Sequence, residues 1–115
     1  MSTQKETVAF ILEKLRDPKR FSARPMFGEY ALYANGKVVA LICDDHLYVK
    51  MLPASGALEP LCEKGEPYPG AKLHYIVDKG QLSRLPMLAE VLFGVAASRA
   101  EKRKPVTLQK KVGRL

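Results

Sequence analysis

Residues 24–37 read RPMFGEYALYANGK, and this stretch decides the fold because it predicts a strand followed by a tight turn. Pro25 favours extended backbone at the residue before it, and from Met26 onward the side chains can alternate across a sheet. Asn35-Gly36 predicts a type I′ hairpin turn, since both central residues of that turn need positive φ. One predicted face carries Met26, Tyr30, Leu32 and Ala34, and the other carries Phe27, Glu29, Ala31 and Tyr33.

Gly28 lies inside this predicted strand, where a glycine indicates a β-bulge or a close approach of another backbone. On this interpretation Met26 and Phe27 point to opposite faces of the sheet. One of them should belong to the core, and the other should lie under a helix or at an interface. Both a packing role and a binding role for the Met-Phe-Gly string are consistent with the sequence.

The segments that follow the turn predict a three-stranded antiparallel meander. Lys37–Cys43 is apolar on both faces, which is typical of a central strand. Asp44-Asp45 supplies a second turn, and residues 46–51 alternate again. Residues 72–77 predict a fourth strand beyond a loop rich in proline and glycine.

Two helices are predicted at the ends of this sheet. Thr3 and Glu6 have the spacing of a capping box, and apolar residues at helical spacing extend a first helix over about 3–17. Ser83 is the predicted N-cap of a last helix, which Pro105 should end near residue 103. The fold class predicted is therefore α+β, an antiparallel sheet with both helices on one face. Residues 1–100 would form the domain, and 101–115 a basic tail.

Length and composition set further limits. A chain of 115 residues with 47% hydrophobic and 27% charged residues suits one globular domain. The longest apolar run, residues 38–43, is far below the ~20 residues that span a bilayer, and the N-terminus lacks a secretory signal. We therefore expect a cytoplasmic protein without membrane contact, in which Cys43 and Cys62 are unpaired.

The net charge of +7 is unevenly distributed, because residues 101–115 carry +5 of it. Clustered cations can neutralise phosphates, so these residues are candidates for weak nucleic-acid contact. The segment lacks the aromatic residues of a stacking platform, and a solubilising end is the alternative. The cations are Lys102, Arg103, Lys104, Lys110, Lys111 and Arg114.

The sequence contains little that indicates a catalytic or metal site. There is no phosphate-binding loop and no nucleophile elbow. His46 beside Asp44 and Asp45 is the one candidate for a metal or acid–base site, and it is a weak one, because metal sites bring three or four ligands at helical or knuckle spacing. We expect a protein that is not an enzyme, with His46 as the enzymatic alternative.

Several positions together resemble the N-terminal domain of the TfoX/Sxy family of bacterial competence regulators. The resemblance covers about residues 5–100 and continues through Pro67-Tyr68 and Tyr75. It departs from the family at Glu29, where glycine is common, and at Val38-Val39, where an aromatic residue is common. The residues that carry it are Arg24, Met26, Phe27, Gly28, Tyr30, Leu32, Tyr33, Asn35, Gly36, Lys37, Ala40, Leu47, Tyr48 and Lys50.

This resemblance implies an α+β domain without a cofactor or known catalytic residues. It also implies a role in transcription regulation through contacts with a protein of the transcription machinery. We further expect that the chain can form a homodimer. Full-length competence regulators carry a C-terminal domain, whereas this chain has only the basic tail after residue 100. The candidate interaction residues are Arg24, Met26, Phe27, Gly28 and Lys50.

Overall fold

The computed structural model describes residues 3–108, and within that range the side chains of residues 3–98. Three α-helices, one 3₁₀-helix and six strands follow one another along this part of the chain. In chain order they are α1 (Lys5–Leu15), β1 (Phe21–Met26), β2 (Glu29–Ala34), β3 (Lys37–Cys43), β4 (His46–Lys50), the 3₁₀-helix (Pro53–Leu58), β5 (Glu63–Gly65), β6 (His74–Val77), α2 (Lys79–Leu82) and α3 (Leu88–Leu108).

The six strands form one antiparallel sheet in the order β1-β2-β3-β4-β6-β5. The predicted meander is confirmed as β2, β3 and β4, and the predicted fourth strand is β6. Two further strands, β1 and β5, extend the sheet at its edges. The pairing of β2 with β3 shifts register between Leu32 and Tyr33. The β-bulge or similar irregularity of this ladder therefore lies there and not at Gly28.

Helices α1 and α3 pack on one face of the sheet, which we call the inner face, and the α+β class is confirmed. Their apolar residues join inward-facing strand residues in one core. The largest side chains that are fully buried there are Ile11, Leu32, Ile42, Leu47, Leu58 and Leu92. The face opposite the helices is the outer face of the sheet.

The predicted capping box at the start of α1 is wrong. Gln4 is the N-cap residue, and its side chain makes no capping hydrogen bond. The carboxylate of Asp45, in the β3–β4 turn, provides the hydrogen bonds at the start of the helix instead. Its Oδ1 accepts from the Gln4 N–H at 2.9 Å and from the Thr7 hydroxyl at 2.8 Å. Thr3 is drawn away from the helix end, because its hydroxyl bonds Glu29 and the Ile42 carbonyl.

The predicted limits of the last helix are also wrong. Ser83 is the C-cap of α2, whose N-cap is Asp78. Helix α3 begins at Leu88, two residues after Pro86, and its backbone stays helical through Pro105 to Leu108. A proline removes one backbone hydrogen bond and need not end a helix. The predicted division into a domain over 1–100 and a tail over 101–115 stays a prediction.

Candidate protein-binding groove on the outer face

Phe27 and Gly28 form the two-residue turn that joins β1 to β2. Met26 pairs with Glu29 across this turn. Phe27 has φ +50° and Gly28 has φ +83°, which is the pattern of positive φ at both positions that defines a type I′ turn. Asn35-Gly36 forms the next turn with φ +51° and +80°, as predicted. The predicted bulge at Gly28 is therefore wrong, and a second hairpin turn takes its place.

Phe27 occupies a position that is unfavourable in two ways. A bulky residue at positive φ is strained, at a cost of about 1–2 kcal/mol. Its side chain is also 99% exposed, so the ring gains no burial to offset that strain. Strained backbone conformations cluster at active sites and ligand-binding sites, so the conformation of Phe27 leads to the hypothesis of a binding role.

Met26 lies on the outer face, not on the inner face with Leu32 as predicted. Two turn residues separate Met26 from β2, and the cross-strand register places it opposite Glu29. The expectation that Met26 or Phe27 belongs to the core is therefore wrong. Tyr30, Leu32 and Ala34 do lie toward the core, as predicted.

A second, smaller apolar cluster covers the middle of the outer face. Its buried members are Ala31, Leu41 and Cys43, and Met26, Tyr33, Val38 and Tyr48 pack half-buried around them. No helix in the described part of the chain packs against this cluster. The half-buried side chains around the buried members form the apolar surface of this face, and exposed apolar surface on a small domain is typical of an interaction site.

A groove of about 890 Å³ runs over part of this cluster, and we call it the outer groove. The floor is formed by strand residues, one wall by the Phe27 turn, and the other wall by the loop that precedes β6. Tyr68 of that loop is 55% exposed. The lining residues are Met26, Phe27, Glu29, Leu41, Cys43, Asp44, Tyr48, Glu66, Pro67, Tyr68 and Pro69.

The charge of the outer groove is opposite to that of the whole chain. Glu29, Asp44 and Glu66 contribute three carboxylates, and none of the described residues that line the groove is a lysine, an arginine or a histidine. The chain as a whole carries +7. An apolar floor with an acidic rim favours a partner that presents cations around an apolar group.

Hydrogen bonds fix the acidic end of the groove to α1. Glu29 Oε1 lies 2.5 Å from the Thr3 hydroxyl and accepts from the Asp44 N–H at 3.2 Å. The Asp45 N–H donates in turn to the Thr3 hydroxyl oxygen at 3.2 Å. These contacts connect β2, the β3–β4 turn and the start of α1, so the Glu29 carboxylate is held in place before a partner arrives.

The thiol in the groove floor is unreactive. Burial, together with the negative charges of Glu29 and Asp44, raises the pKa of Cys43 to about 11. The thiolate is the nucleophilic form of cysteine, so Cys43 is protonated at neutral pH and serves as an apolar floor residue. This agrees with the prediction of a buried, unpaired cysteine.

The outer face also carries Arg24 and Lys50, outside the groove itself. Arg24 lies opposite Ala31, and its guanidinium carbon is 5.2 Å from the centre of the Tyr33 ring. Lys50 lies two residues beyond Tyr48 on β4. Of the candidate interaction residues, the structure therefore places Met26 and Phe27 in the groove lining, Gly28 in the turn, and the two cations elsewhere on the same face.

The free edge of the sheet at β1 is poorly suited to adding a strand. The pair that flanks a two-residue turn is hydrogen-bonded, so Met26, Arg24 and Ser22 direct their backbone groups to β2. Among the residues that face outward, Pro25 has no N–H, and the Phe21 N–H donates to the Asp17 carbonyl at 2.9 Å. These two features limit how far another strand can pair along this edge.

The two histidines each make a local contact with a backbone carbonyl oxygen. His46 Nδ1 lies 2.7 Å from the Asp44 carbonyl oxygen, a local turn contact. His74 is buried in β6, its Nδ1 lies 2.8 Å from the Lys72 carbonyl oxygen, and burial lowers its pKa. Within residues 3–98 there is no group of three or more His, Cys, Asp or Glu side chains that could hold a metal ion.

The candidate nucleic-acid residues cannot be placed at a site. Lys102, Arg103 and Lys104 belong to α3, in the part of that helix for which only the backbone is described. Lys110, Lys111 and Arg114 lie outside the described residues.

Sequence reasoning missed half of the groove. It did not identify Leu41 or Tyr48 as floor residues, or Glu66 as part of the rim. Alternation along a strand gives no information on which face is left uncovered by helices. The available signals were Tyr48 and Pro67-Tyr68, which belong to the resemblance and line the groove.

Sheet, helices and groove together define a small α+β domain with a groove on its outer face, and comparisons with known proteins give its family. Residues 13–76 match the family model of the TfoX N-terminal domain. The chain is also similar to an uncharacterized 12.7 kDa protein in the trpE 5′ region of Spirochaeta aurantia, with 37% identity over 78 residues and 68% of each chain covered. The chain belongs to the TfoX N-terminal domain family. No helix in the described range is long and apolar enough to cross a membrane.

Proposed function

We propose that this chain is a cytoplasmic, non-enzymatic regulatory domain that acts by binding a protein of the transcription machinery in the outer groove. Competence-type regulation is the process that the family resemblance favours. Phe27 is the observation that carries the proposal, because it is both strained at φ +50° and 99% exposed at the rim of an apolar groove. A residue unfavourable for stability is best explained by a contact that forms with a partner.

The groove has the features of a protein-binding site. Aromatic side chains and methionine are enriched at interfaces, and the groove presents Phe27, Tyr68 and Met26. The hydrogen bonds around Glu29 and Asp44 fix its acidic end in advance, which lowers the entropic cost of binding.

The test is capture by three immobilised full chains from an extract of the cells that carry the gene. They are the natural chain, the Phe27→Asn variant and the Leu61→Asn variant. Leu61 is a matched control, because it is also an exposed apolar residue, at 45%, and does not line the groove. We expect the natural chain and Leu61→Asn to retain the same component of the transcription machinery, and Phe27→Asn to lose it. Equal retention by all three chains, or retention of no such component, would contradict the proposal.

Nucleic-acid binding through residues 101–115 is a second candidate, favoured by the +5 charge of that segment. It predicts that affinity for a DNA duplex falls about tenfold or more between 50 and 200 mM salt. Charge reversal of Lys110, Lys111 and Arg114 should abolish that binding, while Phe27→Asn should leave it unchanged. Binding that persists after charge reversal would exclude this candidate.

A further inference from the structure

The outer groove selects for a ligand of a particular chemistry. Its floor is apolar, and its charged lining consists of the three carboxylates of Glu29, Asp44 and Glu66. A neutral ligand would remove water from those carboxylates without providing a charged partner, which costs free energy. A ligand with several cations would pair with the carboxylates and offset that cost. A short peptide with lysine or arginine on either side of an aliphatic residue meets both requirements.

The chain itself contains such a peptide. Residues 109–115 read QKKVGRL, with cations at Lys110, Lys111 and Arg114 and aliphatic side chains at Val112 and Leu115. Three cations would face three carboxylates, and the aliphatic residues would face the floor around Leu41. We propose that residues 109–115 of one copy bind in the outer groove of a second copy. This inference rests on the groove that the proposed function uses, and it names one occupant of that groove.

A second copy is favoured over the same copy because of where α3 lies. This helix packs on the inner face through residues such as Leu92 and Val95, and the groove is on the outer face, so the sheet separates the two. The described body measures 29 Å along each of its two shorter axes. Seven extended residues span at most ~25 Å, which is less than that width.

Binding between copies would regulate the groove. The segment and the protein partner would compete for the same surface, so self-association at high concentration closes the site and dilution opens it. Two such contacts can form reciprocally between two copies, and the second then benefits from high effective concentration. Because the contact is largely between charges, it should weaken as salt increases.

The direct test is a titration of a fluorescent peptide of residues 106–115 with full-length protein. The protein carries Lys110→Glu, Lys111→Glu and Arg114→Glu, so that its own segment does not compete. We expect saturable binding that weakens about tenfold when Glu66→Lys is added, because a cation then faces the peptide's cations. Glu13→Lys is the matched control, since Glu13 is an exposed acid on α1 outside the groove, and it should leave the affinity unchanged. Equal affinity for the two lysine variants, or no binding, would overturn the inference.

Sedimentation of full chains tests the assembly and does not depend on the peptide. The natural chain should associate as its concentration rises, and both the Phe27→Asn variant and the triple glutamate variant should sediment as monomers. Mixing these two variants should restore association, because one supplies an intact segment and the other an intact groove. A mixture that stays monomeric while the natural chain associates would overturn the inference.

These outcomes separate this inference from the proposed function. If the peptide fails to bind but capture of a transcription component still depends on Phe27, the groove serves another protein and the self-association inference alone is wrong. If capture does not depend on Phe27 but the peptide binds, the proposed function is wrong and the inference stands.

Discussion

At the scale of the residue, the turn at Phe27-Gly28 explains most of what is unusual in this sequence. Gly28 has φ +83° and open space around the position of a Cβ, so its requirement is conformational and not steric. Phe27 shares the left-handed conformation without being a glycine or an asparagine. Backbone geometry thus explains Gly28, and the proposed binding role is our explanation for Phe27.

Gly28→Ala should lower the free energy of unfolding by about 1–2 kcal/mol, because alanine is strained at positive φ. Urea unfolding of the full chain measures this change. Gly56→Ala is a matched control, since Gly56 also has open space around it but is not at positive φ, and we expect little change or a small gain. Equal effects at the two glycines would contradict the turn assignment.

Cys43 should react slowly in the folded protein. Its pKa of about 11 lies above the ordinary value of 9.0, so at pH 8 the folded state holds about a hundredfold less thiolate than the unfolded state. Alkylation by iodoacetamide, followed residue by residue with mass spectrometry, should be slower at Cys43 by at least that factor than in urea. A native rate equal to the unfolded rate would mean that the thiol is neither buried nor influenced by Glu29.

At the scale of the element, the start of α1 depends on a carboxylate from elsewhere in the fold. Backbone and side-chain hydrogen bonds from Gln4 and Thr7 lower the pKa of Asp45 below 3.8. A lowered native pKa means that the charged carboxylate stabilises the fold above the unfolded pKa. This contribution is lost as the pH falls through the native pKa.

Asp45→Asn should therefore lower the melting temperature at pH 7, and the difference from the natural chain should shrink as the pH falls below 3.8. Asparagine is a suitable replacement because it tolerates the positive φ of residue 45 and still offers an oxygen acceptor. Melting curves across this range measure the effect. A difference that does not vary with pH would show that the charge of Asp45 is not involved.

Several elements could be predicted from the sequence because local chemistry dominates them. Asn35-Gly36 specifies a turn wherever it lies between strands, and Lys37–Cys43 is too apolar to be anywhere but the middle of a sheet. Strands β1 and β5 could not be predicted in this way. The first contains Pro25 and alternates weakly, and the second is three residues long, so both exist because a neighbouring strand offers a ladder to pair with.

At the scale of the whole molecule, the groove exists because the helices cover only one face of the sheet, and no single segment of the sequence predicts which face that is. Both long helices pack on the inner face, so the cluster around the buried Leu41 on the other side is bordered by half-buried apolar side chains and not by a helix. The lining of the groove comes from segments far apart in the sequence, from Met26 at the end of β1 to Pro69 in the loop before β6. The motif at Met26-Phe27 marked one wall of it, but the floor and the acidic rim depend on tertiary packing.

The central claim is that Phe27 is kept for binding at the expense of stability, and urea unfolding of the Phe27→Asn variant tests it most directly. Asparagine followed by glycine is the preferred pair for this turn, so the variant removes the strain and should raise the free energy of unfolding by about 1 kcal/mol with an unchanged dependence on urea. A variant that is less stable than the natural chain would show that the Phe27 side chain supports the fold, and would contradict the account.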